Sequence, residues 1–207
     1  MASYDTDGGM SKEWLRKVCD ESEGCYVTPE LNNKLYLQHK CLTEIENLEE
    51  YVNVSWLYLQ NNAIDRIQNI GHLKSLTGLF LGNNEITKIQ NLDSNSKLKM
   101  LNLDRNFLKD LKGIEVCKCL ENFSAKANQI QNISPLSALK NLTSLNLQNN
   151  KISDEKNVLR TLSEMPKIRV LYLKGNPFVR SLKNYRKEII HTCPDIQFLD
   201  DRPVEEW

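Results

Sequence analysis

The sequence predicts an α/β solenoid: coils stacked along one axis, their short strands forming one parallel sheet. Three observations predict it. Apolar residues recur at a fixed step of 22, through Leu35, Leu57, Leu79, Leu101, Phe123 and Leu145, with one longer step of 26 to Leu171. A second apolar column runs two residues later, through Leu37, Leu59, Leu81, Leu103, Ala125, Leu147 and Leu173. Asparagine recurs three residues after that, at Asn62, Asn84, Asn106, Asn128, Asn150 and Asn176, with Lys40 in the first place. A fixed period of this length marks coils that bury a continuous core only by stacking.

Each strand places its two apolar residues on one face, because side chains alternate along a strand. After the strand the chain turns within the core, where backbone N–H and C=O groups need partners. An asparagine carries both a donor and an acceptor. The six asparagines are therefore expected to form a ladder bonding the backbone of their own and neighbouring coils. Three further columns follow, beginning at Leu42, Ile45 and Leu48, and pack inward from the convex side. A coil this short leaves room there for 3₁₀ turns and short helical pieces. The exception is Asp154 to Met165, where Val158, Leu159 and Leu162 fall at helical spacing before Pro166. Phe123 and Ala125 read as a matched exchange of a large residue in one core column for a small one in the next.

The ends of such a stack need covers. Ser11 can cap a helix carrying Trp14, Leu15, Val18 and Cys19 on one face. A second helix is expected from Ser181 to His191, followed by the capping segment CPDIQFLDDRP. The resulting division is a flexible lead over 1–10, an N-terminal cap over 11–31, a solenoid of about seven repeats over 32–179 and a C-terminal cap over 180–207.

Composition excludes several function classes. The 207 residues carry 27 basic and 27 acidic side chains, so no basic footprint for nucleic acid or an anionic membrane is expected. No apolar run approaches a membrane span. The N-terminus has neither the basic nor the apolar region of a secretory signal, so a cytoplasmic or nuclear protein with free thiols at its six cysteines is expected. For the same reason Asn53-Val54-Ser55 and Asn141-Leu142-Thr143 are not read as glycosylated. Cys117 and Cys119 form a lone C-x-C without a second pair at metal-ligand spacing, so no metal is expected. His39, His72 and His191 fall in separate parts of the coil, and Asp104 is the only acid in the outward strand columns. No catalytic set, phosphate-cradling loop or cofactor site follows, and a non-enzymatic monomer is expected.

The outward strand columns carry the functional signal. Tyr36, Trp56, Tyr58 and Phe80, with Met100, cluster in the first rungs, and Tyr172 stands apart in the last. Outward strand positions are usually polar. An exposed aromatic patch with a polar rim marks a partner site, and Trp and Tyr dominate interface energetics. Gly78 and Gly82 flank Phe80, which suggests close approach of a partner to the backbone. The alternative is that the rings stack across rungs for stability alone.

The columns resemble leucine-rich repeats of the 22-residue, phosphatase-regulator type. The flanks narrow this. SKEWLRKVC, YVTPELNNKLYLQHK and IENLEEY at the start, and LYLKGNPFVRSLKNYRKEII with FLDDRPVEEW at the end, resemble the dynein axonemal assembly factor 1 family over residues 10 to 207. The resemblance implies a leucine-rich repeat solenoid with a parallel concave sheet and helical caps. It also implies a cytoplasmic scaffold for pre-assembly of the dynein arms of cilia and flagella, with axonemal dynein subunits or other assembly factors as partners. It supplies no catalytic residues. A phosphatase regulatory subunit or a ribonucleoprotein component of the same repeat type is the alternative reading.

Overall fold

The computed structural model describes residues 9–204 of the chain. Seven three-residue strands form the parallel sheet: β1 (Lys34–Tyr36), β2 (Trp56–Tyr58), β3 (Gly78–Phe80), β4 (Met100–Asn102), β5 (Asn122–Ser124), β6 (Ser144–Asn146) and β7 (Val170–Tyr172). Their register follows the column of the first leucine: Leu35 faces Leu57, then Leu79, Leu101, Phe123, Leu145 and Leu171. Both leucine columns are buried, Phe123 and Ala125 included. Leucine-rich coils of this kind thus form one core that runs the length of the stack.

The asparagine column bonds across coils. Asn106 Nδ2 donates to the carbonyls of Leu81, Leu103 and Asp104 at 2.9, 3.2 and 3.1 Å, while its Oδ1 accepts from Ile86 N at 2.9 Å. Asn84, Asn128 and Asn150 repeat this pattern, and Asn176 keeps it in the longer last coil. Asn62, beside Lys40, is only half-buried and accepts from the amides of Lys40 and Leu42.

The convex side holds 3₁₀ turns at Ile114–Val116 and Ser134–Ala138 and one α-helix. A second asparagine column runs there. Asn47, Asn69 and Asn91 all have left-handed backbone, with φ of 55 to 59°. Their side-chain amides donate to the carbonyls of Met10, Ile45 and Ile67. Gly113 takes the next place at φ 95°, where an added methyl group would strike the Ile89 carbonyl.

Helix α1 (Lys12–Glu21) starts at Ser11, whose Oγ accepts from Trp14 N at 3.1 Å. It buries Leu15, Val18 and Cys19, and Trp14 packs partly against them. Lys12 and Arg16 pair with Glu50 on the first coil. Helix α2 (Glu155–Ser163) is capped by Asp154, which accepts from Asn157 N at 3.0 Å.

The structure differs from the expected division at three places. Met10, assigned to the lead, is fully buried; its N–H donates to Glu46 Oε1 at 2.9 Å. Residues 1–8 of that lead lie outside the described residues. The helix expected over Ser181–His191 is split into α3 (Pro177–Ser181) and α4 (Tyr185–Thr192), because Asn184 sits in the left-handed region at φ 56°. The CPDIQFLDDRP segment also continues the sheet: β8 (Phe198–Leu199) pairs parallel to β7, and β9 (Arg202–Pro203) returns antiparallel.

Candidate protein-binding face

The concave sheet gathers the first aromatic residues into one stack. Tyr36, Tyr58 and Phe80 occupy successive strands in register. Their ring centroids are 5.1 and 4.8 Å apart, with planes inclined by 16° and 7°. This is the inter-strand spacing of a sheet, so the backbone itself sets the stacking distance. The Trp56 ring leans toward Phe80, 6.1 Å away and inclined by 16°. All four residues are half-buried. Met100 continues the surface onto β4.

The two glycines do not open the backbone to a partner. Gly78 and Gly82 are both buried. The Trp56 ring fills the space a side chain at Gly78 would need, and Asn102 Oδ1 lies 2.8 Å from where a Cβ of Gly82 would be. Neighbouring coils use these gaps for their own side chains.

Tyr172 stands three strands beyond β4 and does not join the stack. It shares with Phe80 and Met100 the lining of a shallow hollow of about 220 Å³, floored by Asn122, Ser144 and Asn146. The polar half of the sheet is therefore a depression between two aromatic walls. Asn122 and Ser144 side chains make no hydrogen bond among the described residues, and Asn146 Oδ1 accepts only from Gln148 N. The sequence columns contained these residues, but nothing in their period signalled a depression.

One outward column has a backbone cause. His39, Asn61, Asn83, Arg105, Ala127 and Asn149 all have φ between 52 and 59°, and Gly175 follows at 82°. Asparagine and glycine suit that left-handed position. Asn83 donates to Asn61 Oδ1 at 2.8 Å, and Asn61 Nδ2 lies 3.1 Å from His39 Nε2. Asp104 is likewise engaged within the sheet: it accepts from Ser124 Oγ, Lys126 N and Asn102 Nδ2.

His72 Nε2 lies 2.7 Å from the Leu48 carbonyl, and His191 is exposed on α4, so the three histidines do not meet. Cys117 is buried while Cys119 is exposed. Burial, with help from the carboxylates of Asp93 and Glu115, pushes the Cys117 thiol up to about 12. Among the described residues no group of three His, Cys, Asp or Glu side chains is placed to hold a metal ion, and no helix is long and apolar enough to cross a membrane.

Comparison with known proteins agrees with this architecture. A family model for leucine-rich repeats in two copies matches residues 52–94 and 140–187. The internalin InlF of Listeria monocytogenes has the same fold, with a TM-score of 0.71 at 23% identity over 83% of this chain and 48% of that one. The leucine-rich repeat-containing protein ODA7 of Chlamydomonas reinhardtii is 47% identical over 57 residues, 28% of this chain and 13% of its own length. Dynein axonemal assembly factor 1 of Homo sapiens is 62% identical over 198 residues, which is 94% of this chain. The chain spans 27% of that human relative's length. With this identity along nearly its whole length, the chain belongs to the dynein axonemal assembly factor 1 family of leucine-rich repeat proteins.

Proposed function

We propose that the chain is a non-enzymatic protein-interaction scaffold acting in the cytoplasm, where axonemal dynein arms are pre-assembled for cilia or flagella. Its partners are axonemal dynein subunits or other assembly factors, not nucleic acid or membrane. The observation that carries this reading is the concave surface of Tyr36, Trp56, Tyr58, Phe80 and Met100. Stacking fixes these rings in advance, so a partner loses little entropy in meeting them. Tyr172 forms the far wall of the adjoining hollow and is the second contact. One copy suffices for one client, since every residue of this face comes from a single chain.

The test is rescue of dynein-arm assembly in ciliated cells lacking the endogenous factor, using the full-length protein. Truncating a central anchor costs about 2 kcal/mol of binding, or about thirtyfold in affinity. Trp56→Ala and Phe80→Ala should therefore fail to restore the arms while keeping a folded repeat region. Lys97→Ala, at an exposed loop position, is the control and should restore them. Full rescue by Trp56→Ala and Phe80→Ala together would overturn the assignment of this face.

A further inference from the structure

Two of the six thiols meet where the N-terminal cap joins the sheet. Cys19 lies on the buried face of α1 and is 1% exposed. Its Sγ is 3.9 Å from the hydroxyl of Tyr51 on the first coil. Cys25 follows in the loop after α1, and two turns bring it back against the helix. Ser22 N donates to the Cys19 carbonyl at 3.3 Å, and Cys25 N donates to the Ser22 carbonyl at 3.1 Å. Gly24 supplies the left-handed backbone this path needs, at φ 81°. The next residue is held from the other side, because Asn32 Oδ1 accepts from Tyr26 N at 2.8 Å. Cys25 thus packs against the core, and its thiol and that of Cys19 are hydrogen-bonding neighbours. The other four cysteines have no such neighbour. Cys41 and Cys119 are exposed, burial and carboxylates act on Cys117, and burial alone acts on Cys193.

The Cys25 thiol has a second task. Strand β1 ends the sheet and pairs with β2 on one side alone. The Asn33 carbonyl and Leu37 N–H are spent on β2, so the Lys34 carbonyl and Tyr36 N–H between them face the open edge. Cys25 Sγ donates to the Lys34 carbonyl at 3.6 Å and lies against the Tyr36 N–H. An open strand edge invites stray pairing, and this thiol covers it. Tyr36 is also the first ring of the concave stack.

We propose that Cys19 and Cys25 are a redox pair, which a small-molecule disulfide such as oxidised glutathione converts into an intramolecular disulfide. Cys25, the half-buried thiol, is reached first. It gives up its proton, and its thiolate attacks one sulfur of the oxidant. A mixed disulfide forms, and the departing glutathione thiolate takes up a proton. Cys19 then loses its proton and attacks Cys25 Sγ, releasing the second glutathione as its thiol. Two protein thiols are oxidised and one glutathione disulfide is reduced to two thiols, so the exchange balances without another reactant. Burial raises both protein thiols from the ordinary 9.0. Thiolate is therefore scarce at neutral pH and the exchange is slow, which suits a response to sustained oxidation and not to a brief pulse. Closing the bond draws Cys25 away from β1. The Lys34 carbonyl and Tyr36 N–H lose their cover, while the loop gains a covalent tie to α1.

The test uses the 207-residue chain carrying Cys41→Ser and Cys119→Ser, which removes the two exposed thiols. This parent is incubated with excess oxidised glutathione, quenched by alkylation and mapped by mass spectrometry. The expected product has lost two thiols, carries no glutathione and joins Cys19 to Cys25 within one chain. Adding Cys19→Ala should stop the reaction at a mixed disulfide on Cys25, and adding Cys25→Ser should leave Cys19 unmodified. Far-ultraviolet circular dichroism checks that each variant is folded. Hydrogen exchange reads the β1 edge. The Tyr36 amide should lose protection in the oxidised parent and regain it on reduction with dithiothreitol. The Leu59 amide, which donates to the Phe80 carbonyl inside the sheet, should keep its protection throughout. A parent that stops at glutathione on Cys25, or that keeps both thiols after prolonged incubation, overturns the redox pair. A disulfide that leaves the Tyr36 amide unchanged overturns its effect on the edge.

Discussion

The Trp56 ring occupies the space that a side chain at Gly78 would need. The two residues face each other across adjacent strands, and the missing side chain on one lets the other turn toward Phe80. Gly78→Ala should displace the indole and break its stacking on Phe80, at an overpacking cost of about 1–3 kcal/mol. In a Trp56→Ala background the same alanine meets only the edge of the Phe80 ring, 3.1 Å away, and should cost much less. A urea-denaturation cycle of the two substitutions measures this. Additive effects would show that the indole does not depend on the glycine.

The ladder gives a second prediction. Asn106 is 5% exposed and serves three carbonyls and one amide. Asn106→Ala leaves those groups without partners in the middle of the stack, at roughly 1–3 kcal/mol for each group left unsatisfied. Chemical denaturation should show a clear loss of stability. A midpoint equal to the parent's would mean that water replaces the amide at no cost.

Much of this fold was legible in the sequence because its cause is local and repeats. The leucine columns fix the strands and their register, since Leu57 must face Leu79 for either to be buried. Asn106 was legible because a buried turn leaves backbone groups that an amide side chain can satisfy. What stayed hidden depends on backbone dihedrals or on where a side chain leans. The column from His39 to Asn149 looks like an outward face in the sequence, yet its residues answer to a left-handed backbone. The convex column of Asn47, Asn69 and Asn91 was visible at the same 22-residue step, but its use follows only from that same backbone geometry. The candidate face was legible as a list of residues. That Trp56 closes over Gly78, and that Tyr172 faces Phe80 across a hollow, depends on side-chain directions that a period does not encode. At the C-terminus, β8 and β9 are too short to show any alternation.

The thiols should divide by burial. Cys41 and Cys119 are exposed, Cys25 is half-buried, and Cys19, Cys117 and Cys193 are buried. In the folded protein a thiol reagent at neutral pH should label the two exposed sites quickly and the buried three only on unfolding. Burial pushes Cys117 up to about 12 and Cys193 up to about 11 from the ordinary 9.0. Both acids are neutral in the fold and ionise earlier when unfolded. Their contribution to stability is thus complete below 9.0 and is lost as the pH rises toward those folded values. The melting temperature should fall through that window, and more gently in Cys117→Ala. An equal slope in the parent and in Cys117→Ala would exclude Cys117 as a cause.

The C-terminal end should depend on Asp200. This side chain is 5% exposed, and its carboxylate replaces the coil that would otherwise cover Leu173 and Lys174. Oδ1 accepts from the amides of Leu173 and Lys174 at 2.8 and 3.0 Å, and Oδ2 accepts from Tyr185 Oη at 3.1 Å. Tyr185 also meets Phe178 edge to face, at 6.0 Å. Burial and the neighbouring Asp200 carboxylate raise the Tyr185 hydroxyl well above the usual tyrosine range, so it stays a donor at all physiological pH. Asp200→Ala would leave two amides and one hydroxyl without partners, at roughly 1–3 kcal/mol per group left buried and unsatisfied. Asp200→Asn keeps an oxygen for the amides and an amide group for the hydroxyl, and should cost much less. Tyr185→Phe should weaken the fold by itself, and its effect should shrink in the Asp200→Ala background, because the two residues share one hydrogen bond. Hydrogen exchange at Leu173 and Lys174 is the direct readout. Both amides should lose protection in Asp200→Ala and keep it in Asp200→Asn. Unchanged protection in Asp200→Ala would show that something other than this carboxylate closes the stack.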